Sequence, residues 1–207
     1  MADITAETAS PSGEVAVLVA VQSALADRPG ALAVARAMSY FGEHSLGWLA
    51  VSAIGAILQP ARRGGWLVAG AGAFAAHAAA IVIKRLVRRP RPRHPAVAVN
   101  VGTPSSLSFP SAHASSTTAA AILLARVTGL PLPGMLVPPM ALSRVLLGVH
   151  YPSDVATGVA VGAAVAAAAE WAAARVDRRW PAWRRCGPGM RPAEKPGSWP
   201  KTGGAQR

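Results

Sequence analysis

Three short polar clusters border apolar stretches of this chain. Lys84 is followed after six residues by Arg91-Pro92, then comes Pro110-Ser111-Ala112-His113, and last Ser143-Arg144 with His150 and Asp154 beyond it. A phosphate monoester carries close to two negative charges, and its transfer needs positioning and charge stabilisation more than covalent chemistry from the protein. Arg binds phosphate oxygens through a bidentate fork and Lys adds a point charge, which makes Lys84, Arg91 and Arg144 candidate phosphate ligands. Pro92 restricts the backbone after Arg91 and so limits where that side chain aims. Ser111 occupies a helix N-cap position. Its hydroxyl and the N–H groups from Ala112 onward can face an anion at the positive end of the helix dipole.

Histidine suits both remaining tasks. A neutral imidazole attacks phosphorus, and a protonated one gives its proton to the departing alkoxide. His113 and His150 are the candidates. Asp154, four residues after His150, can accept a hydrogen bond from one ring nitrogen and leave the other free to attack. Pro152 between them favours a turn over a continuous helix. This set needs no metal and no cofactor.

The elements that must position these groups are helices. Residues 14–26 are apolar but too short to cross a bilayer, for which about 20 residues are needed. Asp27-Arg28-Pro29-Gly30 breaks the run, and 31–41 makes a second short helix, so 14–41 reads as one broken or interfacial segment. Spans follow at 45–59, 66–83, 112–128, 132–149 and 154–175, with Pro138-Pro139 expected to kink the fifth or delay its start. The fold class is therefore all-α, a polytopic six-helix transmembrane bundle. Alternating helices bring the end near Lys84, the start near Ser111 and the end near His150 to one membrane face. Gly70-Ala71-Gly72-Ala73 and Gly158 with Gly162 offer small-residue faces for close helix packing.

Composition agrees with a membrane protein. Of 207 residues, 52% are hydrophobic and 14% charged, against roughly 25% charged in an ordinary soluble domain. Mean hydropathy is +0.32, yet the net charge is +12. A basic excess suits an anionic substrate or membrane surface. With 5% aromatic residues and no basic–aromatic alternation, a nucleic-acid partner is not expected. The single cysteine, Cys186, permits neither an internal disulfide nor a thiolate metal site. No basic n-region marks a cleavable signal. Residues 1–13 and the basic tail 178–207 read as disordered flanks of a membrane domain at 14–177.

In order and spacing the three clusters resemble the signature of the type 2 phosphatidic acid phosphatase superfamily. The resemblance implies a six-helix, metal-free membrane phosphatase working through a phosphohistidine. By motif match, Lys84, Arg91, Ser111, Ala112 and Arg144 bind phosphate, His113 is the acid, His150 the nucleophile and Asp154 its orienting partner. The family's usual glycine between Ser111 and His113 is here Ala112. The stretches 39–45, 99–105 and 147–154 further resemble an actinobacterial subgroup acting on decaprenylphosphoryl-5-phosphoribose, a precursor of cell-wall arabinan. A polyprenyl diphosphate or phosphatidic-acid-type lipid would need the same catalytic set, and a non-catalytic lipid-phosphate binder or transporter is the alternative of another class. A vanadate-dependent haloperoxidase shares the anion cradle but not the apolar spans. The partners expected are a lipid-linked phosphate and the bilayer, and self-association is allowed.

Arg62, Arg63, Arg126 and the tail lie on the face opposite the clusters. The positive-inside tendency makes that face cytoplasmic and puts the site outside the cell, in a multi-pass plasma-membrane protein. Outside the clusters, His77 reads as a packing residue in a span, Glu43 with His44 as a helix cap, and Arg88, Arg89 and Arg93 as contacts to substrate or lipid headgroups.

Overall fold

A computed structural model of the chain describes residues 11–179. Residues 1–10 and 180–207, which hold most of the two expected disordered ends and Cys186, lie outside the described residues. Among the described residues seven α-helices follow one another: α1 (Gly13–Leu25), α2 (Ala31–Gly42), α3 (Leu46–Leu58), α4 (Arg63–Val87), α5 (Ala112–Thr128), α6 (Leu132–Leu146) and α7 (Pro152–Arg179). Among the described residues no strand forms, and one backbone bridge pairs Pro90 with Leu107.

α5 is the axis of the bundle. Most of its residues are buried, including the polar Ser115, Ser116, Thr117 and Thr118, and α3, α4, α6 and α7 all pack against it. Helix packing, not contact with lipid, consumes its surface, so it can be rich in Ala, Ser and Thr. The hydroxyls find local partners: Ser115 Oγ donates to the Ser111 carbonyl at 3.0 Å and Thr117 Oγ1 accepts from Trp48 Nε1 at 3.2 Å. The large apolar side chains instead face outward on the surrounding helices, as Ile54, Ile57, Leu67, Phe74, Val82 and Leu142 do. That inversion is what a bilayer solvent requires.

Small residues set the approach of α7 to α5. A Cβ on Gly158 would sit 2.6 Å from the Ser111 carbonyl oxygen, and one on Gly162 would strike the Ser115 carbonyl oxygen and stand 2.8 Å from Thr118 Cβ. Gly134, on the outer side of α6, has open space around it. We therefore expect Gly162→Ala to lower the melting midpoint of the detergent-solubilised protein, at a cost of about 1–3 kcal/mol from overpacking. Gly134→Ala should hold or raise it, because the added methyl removes only unfolded-state freedom.

The first part of the chain differs from the expected pattern. Ala31–Leu58 forms one apolar stretch long enough to cross a bilayer, as do Pro60–Val87 and Pro152–Arg175. The break expected at residues 27–30 separates α1 from α2, but α2 and α3 share one span that is interrupted only by a short 3₁₀ turn over Glu43–Ser45. His44 (φ 48°) and Ser45 (φ 62°) both adopt left-handed backbone there. Residues 45–59 alone would reach only about 22 Å at 1.5 Å per residue, and α2 supplies the missing length. α2 runs down beside the last turns of α6. Ala35 packs on Leu146 and Leu147, and the Gly42 backbone lies against Met140. α1 alone lies across the end of the bundle. Its Leu18 packs on Val97, Ala114, Val145 and Val155, which belong to the loop after α4 and to the terminal turns of α5, α6 and α7.

α6 begins where the sequence places it but ends three residues sooner. It starts at Leu132 and includes Pro138 and Pro139. It ends at Leu146 because Gly148 takes a φ of +71° against the Ala98 carbonyl, a position no Cβ could share. His150 is thereby left on a short connection ahead of Pro152, the first residue of α7.

Candidate active site

The end of α4, the start of α5 and the end of α6 meet at one face, as the alternation of helices requires. A cavity of about 350 Å³ opens there, and Lys84, Arg91, Ala112, His113, Arg144 and His150 all line it. Ser111 and Asp154 stand directly behind it, both fully buried.

The cations are fixed before any ligand arrives. Lys84, in the last turn of α4, donates from Nζ to the carbonyls of Leu107 (3.1 Å) and Ser108 (3.3 Å). Arg91 donates from Nε to the Ser105 carbonyl at 2.8 Å and from Nη1 to the Val149 carbonyl at 2.7 Å. These bonds stitch the long connection between α4 and α5 over the bundle and aim both side chains at the cavity. Arg144 is 2% exposed. Its Nε donates to Ser143 Oγ at 3.2 Å and its Nη1 to Ser39 Oγ at 3.0 Å. Arg144 Nη2 is buried and has no partner among the described residues. Leaving a charged donor in that state costs at least about 1–3 kcal/mol, and an anion in the cavity would recover it.

His150 sits between a cation and a carboxylate. Its Nε2 lies 3.4 Å from Arg91 Nη1, and its Nδ1 lies 3.7 Å from Asp154 Oδ2. The second distance is too long for a hydrogen bond, and Nδ1 has no other partner among the described residues. Asp154 is occupied elsewhere. Its Oδ2 accepts from the Tyr151 backbone N–H at 2.8 Å, capping α7, and its Oδ1 accepts from Arg89 Nη1 at 2.9 Å. Burial pushes the His150 imidazole down to about 4, against the opposing pull of Asp154. The ring is neutral at neutral pH, with a lone pair available.

His113, in the first turn of α5, places Nε2 2.9 Å from the Ser39 carbonyl oxygen. A carbonyl only accepts, so this nitrogen carries the proton. The ring approaches so closely that a Cβ on Gly42 would stand 2.7 Å from His113 Cδ2. Ser111 caps α5, accepting from the Ala114 N–H at 3.4 Å, and its hydroxyl serves the helix while Ala112 faces the cavity.

Sequence reasoning missed two contributors. Ser39 holds both His113, through its carbonyl, and Arg144, through its hydroxyl. Only its place in the 39–45 stretch hinted at a role. Arg89, read as a substrate or headgroup contact, is structural: besides Asp154 it pairs with Glu14 Oε2 at 2.6 Å and stacks on Tyr151 with 4.0 Å to the ring centroid. It ties α1 to the back of the site. Glu43, His44 and His77, read as cap and packing residues, also line the cavity.

Known proteins resemble this chain in sequence and in fold. Residues 65–178 match the PAP2 superfamily. Decaprenylphosphoryl-5-phosphoribose phosphatase of Mycobacterium tuberculosis is 74% identical over 152 residues, which is 73% of this chain and 86% of that one. The protein of the same name from Mycolicibacterium smegmatis is 72% identical over 149 residues, 72% of this chain and 83% of that one. Two crystal structures share the fold. A transmembrane PAP2-type phosphatidylglycerolphosphate phosphatase from Bacillus subtilis has a TM-score of 0.63 at 20% identity, over 79% of this chain and 87% of that one. LpxE of Aquifex aeolicus has a TM-score of 0.61 at 18% identity, over 81% and 98%.

Proposed function

The chain belongs to the PAP2 superfamily, and from that premise we propose that it is a membrane phosphatase removing the 5-phosphate of a decaprenylphosphoryl-5-phosphoribose-type lipid. The observation that carries the reading is the unpartnered, buried Arg144 Nη2 at a cavity also lined by Lys84, Arg91 and a neutral His150. The names of its mycobacterial relatives supply the lipid.

In this reading Lys84, Arg91 and Arg144 grip the phosphate oxygens, with the N–H groups from Ala112 behind them. His150 Nε2 attacks phosphorus and the bond to the ester oxygen breaks. His113, in its imidazolium form, gives that oxygen its Nε2 proton in place of the bond to the Ser39 carbonyl and is left as the neutral ring. Water then attacks the phosphohistidine, His113 takes a proton from the water, and inorganic phosphate leaves. Arg91 Nη1, beside Nε2, disfavours protonation of the attacking nitrogen and brings the phosphoryl group to it. Asp154 stabilises the charge that develops on the ring as the new bond forms.

α1 and the start of α2 pack at the site end of the bundle, and the chain leaves α7 at the opposite end. Arg62, Arg63, Arg126 and Arg175 fall at that opposite end, so the positive-inside tendency places catalysis outside the cytoplasm of a multi-pass plasma-membrane protein. The membrane domain is taken as 14–177.

The test is phosphate release by purified protein from a lipid panel: polyprenyl-linked phosphoribose, polyprenyl diphosphate and phosphatidic acid. The first should be the best substrate, vanadate should inhibit by filling the cradle, and EDTA should leave the rate unchanged. Loss of activity with EDTA would contradict the metal-free scheme, and preference for the diphosphate would change the substrate.

A further inference from the structure

The cavity continues past the phosphate cradle into a group that the catalytic scheme leaves unused. His77 lies on α4 seven residues before Lys84 with Ile81 between them, all three lining the cavity. At 1.5 Å per residue this puts His77 about 10 Å deeper along the helix. It is 8% exposed, and its Nδ1 is buried without a partner among the described residues. A polar group inside a span without a partner is costly and normally has one when the protein works. Across from it, the His44 ring stands 5.9 Å away, centroid to centroid. Glu43 Oε1 is 3.5 Å from His44 Nδ1, and its Oε2 is 3.8 Å from His113 Nε2.

The turn that presents Glu43 and His44 is held in place. His44 and Ser45 are consecutive left-handed residues without being glycine, a conformation that persists only when its surroundings impose it. Ser45 is fully buried and its Oγ donates to the Ala73 carbonyl at 3.4 Å. The break between α2 and α3 thus turns a carboxylate and an imidazole toward the cavity.

We propose that Glu43, His44 and His77 form a subsite for the hydroxyl groups of a sugar ring attached to the phosphate, and that this subsite selects a sugar phosphate over a diphosphate. The inference deepens the function proposed above and rests on it. A hydroxyl donates to a carboxylate and accepts from an imidazole N–H, so one acceptor-only group and two mixed groups complement a vicinal diol. Glu43 also places a negative charge where the second phosphate of a diphosphate would lie, which disfavours that ligand. The 3.5 and 3.8 Å separations leave the Glu43 oxygens free to accept from a ligand.

The experiment measures kcat/KM of the full chain for the phosphoribosyl lipid, for phosphatidic acid and for polyprenyl diphosphate, in the wild type and in His77→Phe, His44→Ala and Glu43→Gln. The ratio of phosphoribosyl lipid to phosphatidic acid should fall about 10- to 100-fold in His77→Phe and His44→Ala, the loss of one or two hydrogen bonds, and mainly through KM. Glu43→Gln should raise the relative rate on the diphosphate. Ratios within about two-fold of wild type in all three variants would overturn the proposal, as would equal losses on all substrates. If His77→Phe does not give a cooperative melt, His44→Ala, at a more exposed position, decides. A wild type inactive on the phosphoribosyl lipid but active on another would sink the substrate reading instead, a result separate from unchanged ratios.

Discussion

His150→Ala should abolish phosphate release, a fall of roughly 10³-fold or more in kcat, because it removes the atom that bonds to phosphorus. Binding should survive. The cradle of Lys84, Arg91 and Arg144 is held by the Ser105, Leu107, Ser108 and Val149 carbonyls and by the Ser39 and Ser143 hydroxyls, and the His150 ring adds only a long 3.4 Å contact to Arg91 Nη1. Vanadate or phosphate should therefore still raise the melting midpoint of His150→Ala. A variant that lost ligand stabilisation along with activity would show that the ring organises the cradle as well as attacking from it. The chemistry favours attack. The imidazole is buried and neutral, and its Nε2 is 3.4 Å from a guanidinium already aimed at the cavity.

His113→Ala should cost about 10²- to 10⁴-fold on a lipid substrate, the usual span for a lost general acid. The size of the loss should depend on the leaving group. An alkoxide needs its proton as the phosphorus–oxygen bond breaks. A phenoxide, with a conjugate acid near pKa 10, departs far more readily without one. With an aryl phosphate the first step should be nearly intact in His113→Ala. The second should remain slow, since water then lacks its base, and the phosphoenzyme should accumulate. Equal losses on alkyl and aryl esters in the rate of phosphoenzyme formation would instead assign His113 a role in holding the site, through the Ser39 carbonyl it bonds at 2.9 Å.

Much of this site can be read in the sequence because its chemistry is concentrated in residues that are expensive at a membrane boundary. Lys84, Arg91, His113, Arg144 and His150 are charged or titratable groups at helix ends, and the alternation of helices is enough to gather them. The positioning groups are less legible. Ser39 acts through a carbonyl and one hydroxyl, and nothing in a serine's identity announces that. Arg89 stands in a run of arginines that all look alike, and only packing sets it against Glu14 and Asp154. Asp154 was expected to bond His150, but its position in the first turn of α7 commits it to the Tyr151 N–H. The sequence separates a helix over 31–41 from one over 45–59, but that the two share a single span across a left-handed His44-Ser45 turn leaves no compositional mark. Pro29-Gly30 marks a turn openly, and the chain does break there between α1 and α2. α5 was correctly read as a helix, but its central place follows from having neighbours on every side.

The central claim is that phosphorus becomes bonded to His150, and a labelled phosphoenzyme tests it most directly. Enzyme mixed briefly with a ³²P-labelled aryl phosphate and quenched in base should carry acid-labile label on His150. The label should increase in His113→Ala and be absent in His150→Ala. Label on any other residue, or turnover by wild type with no phosphoenzyme at any quench time, would contradict it.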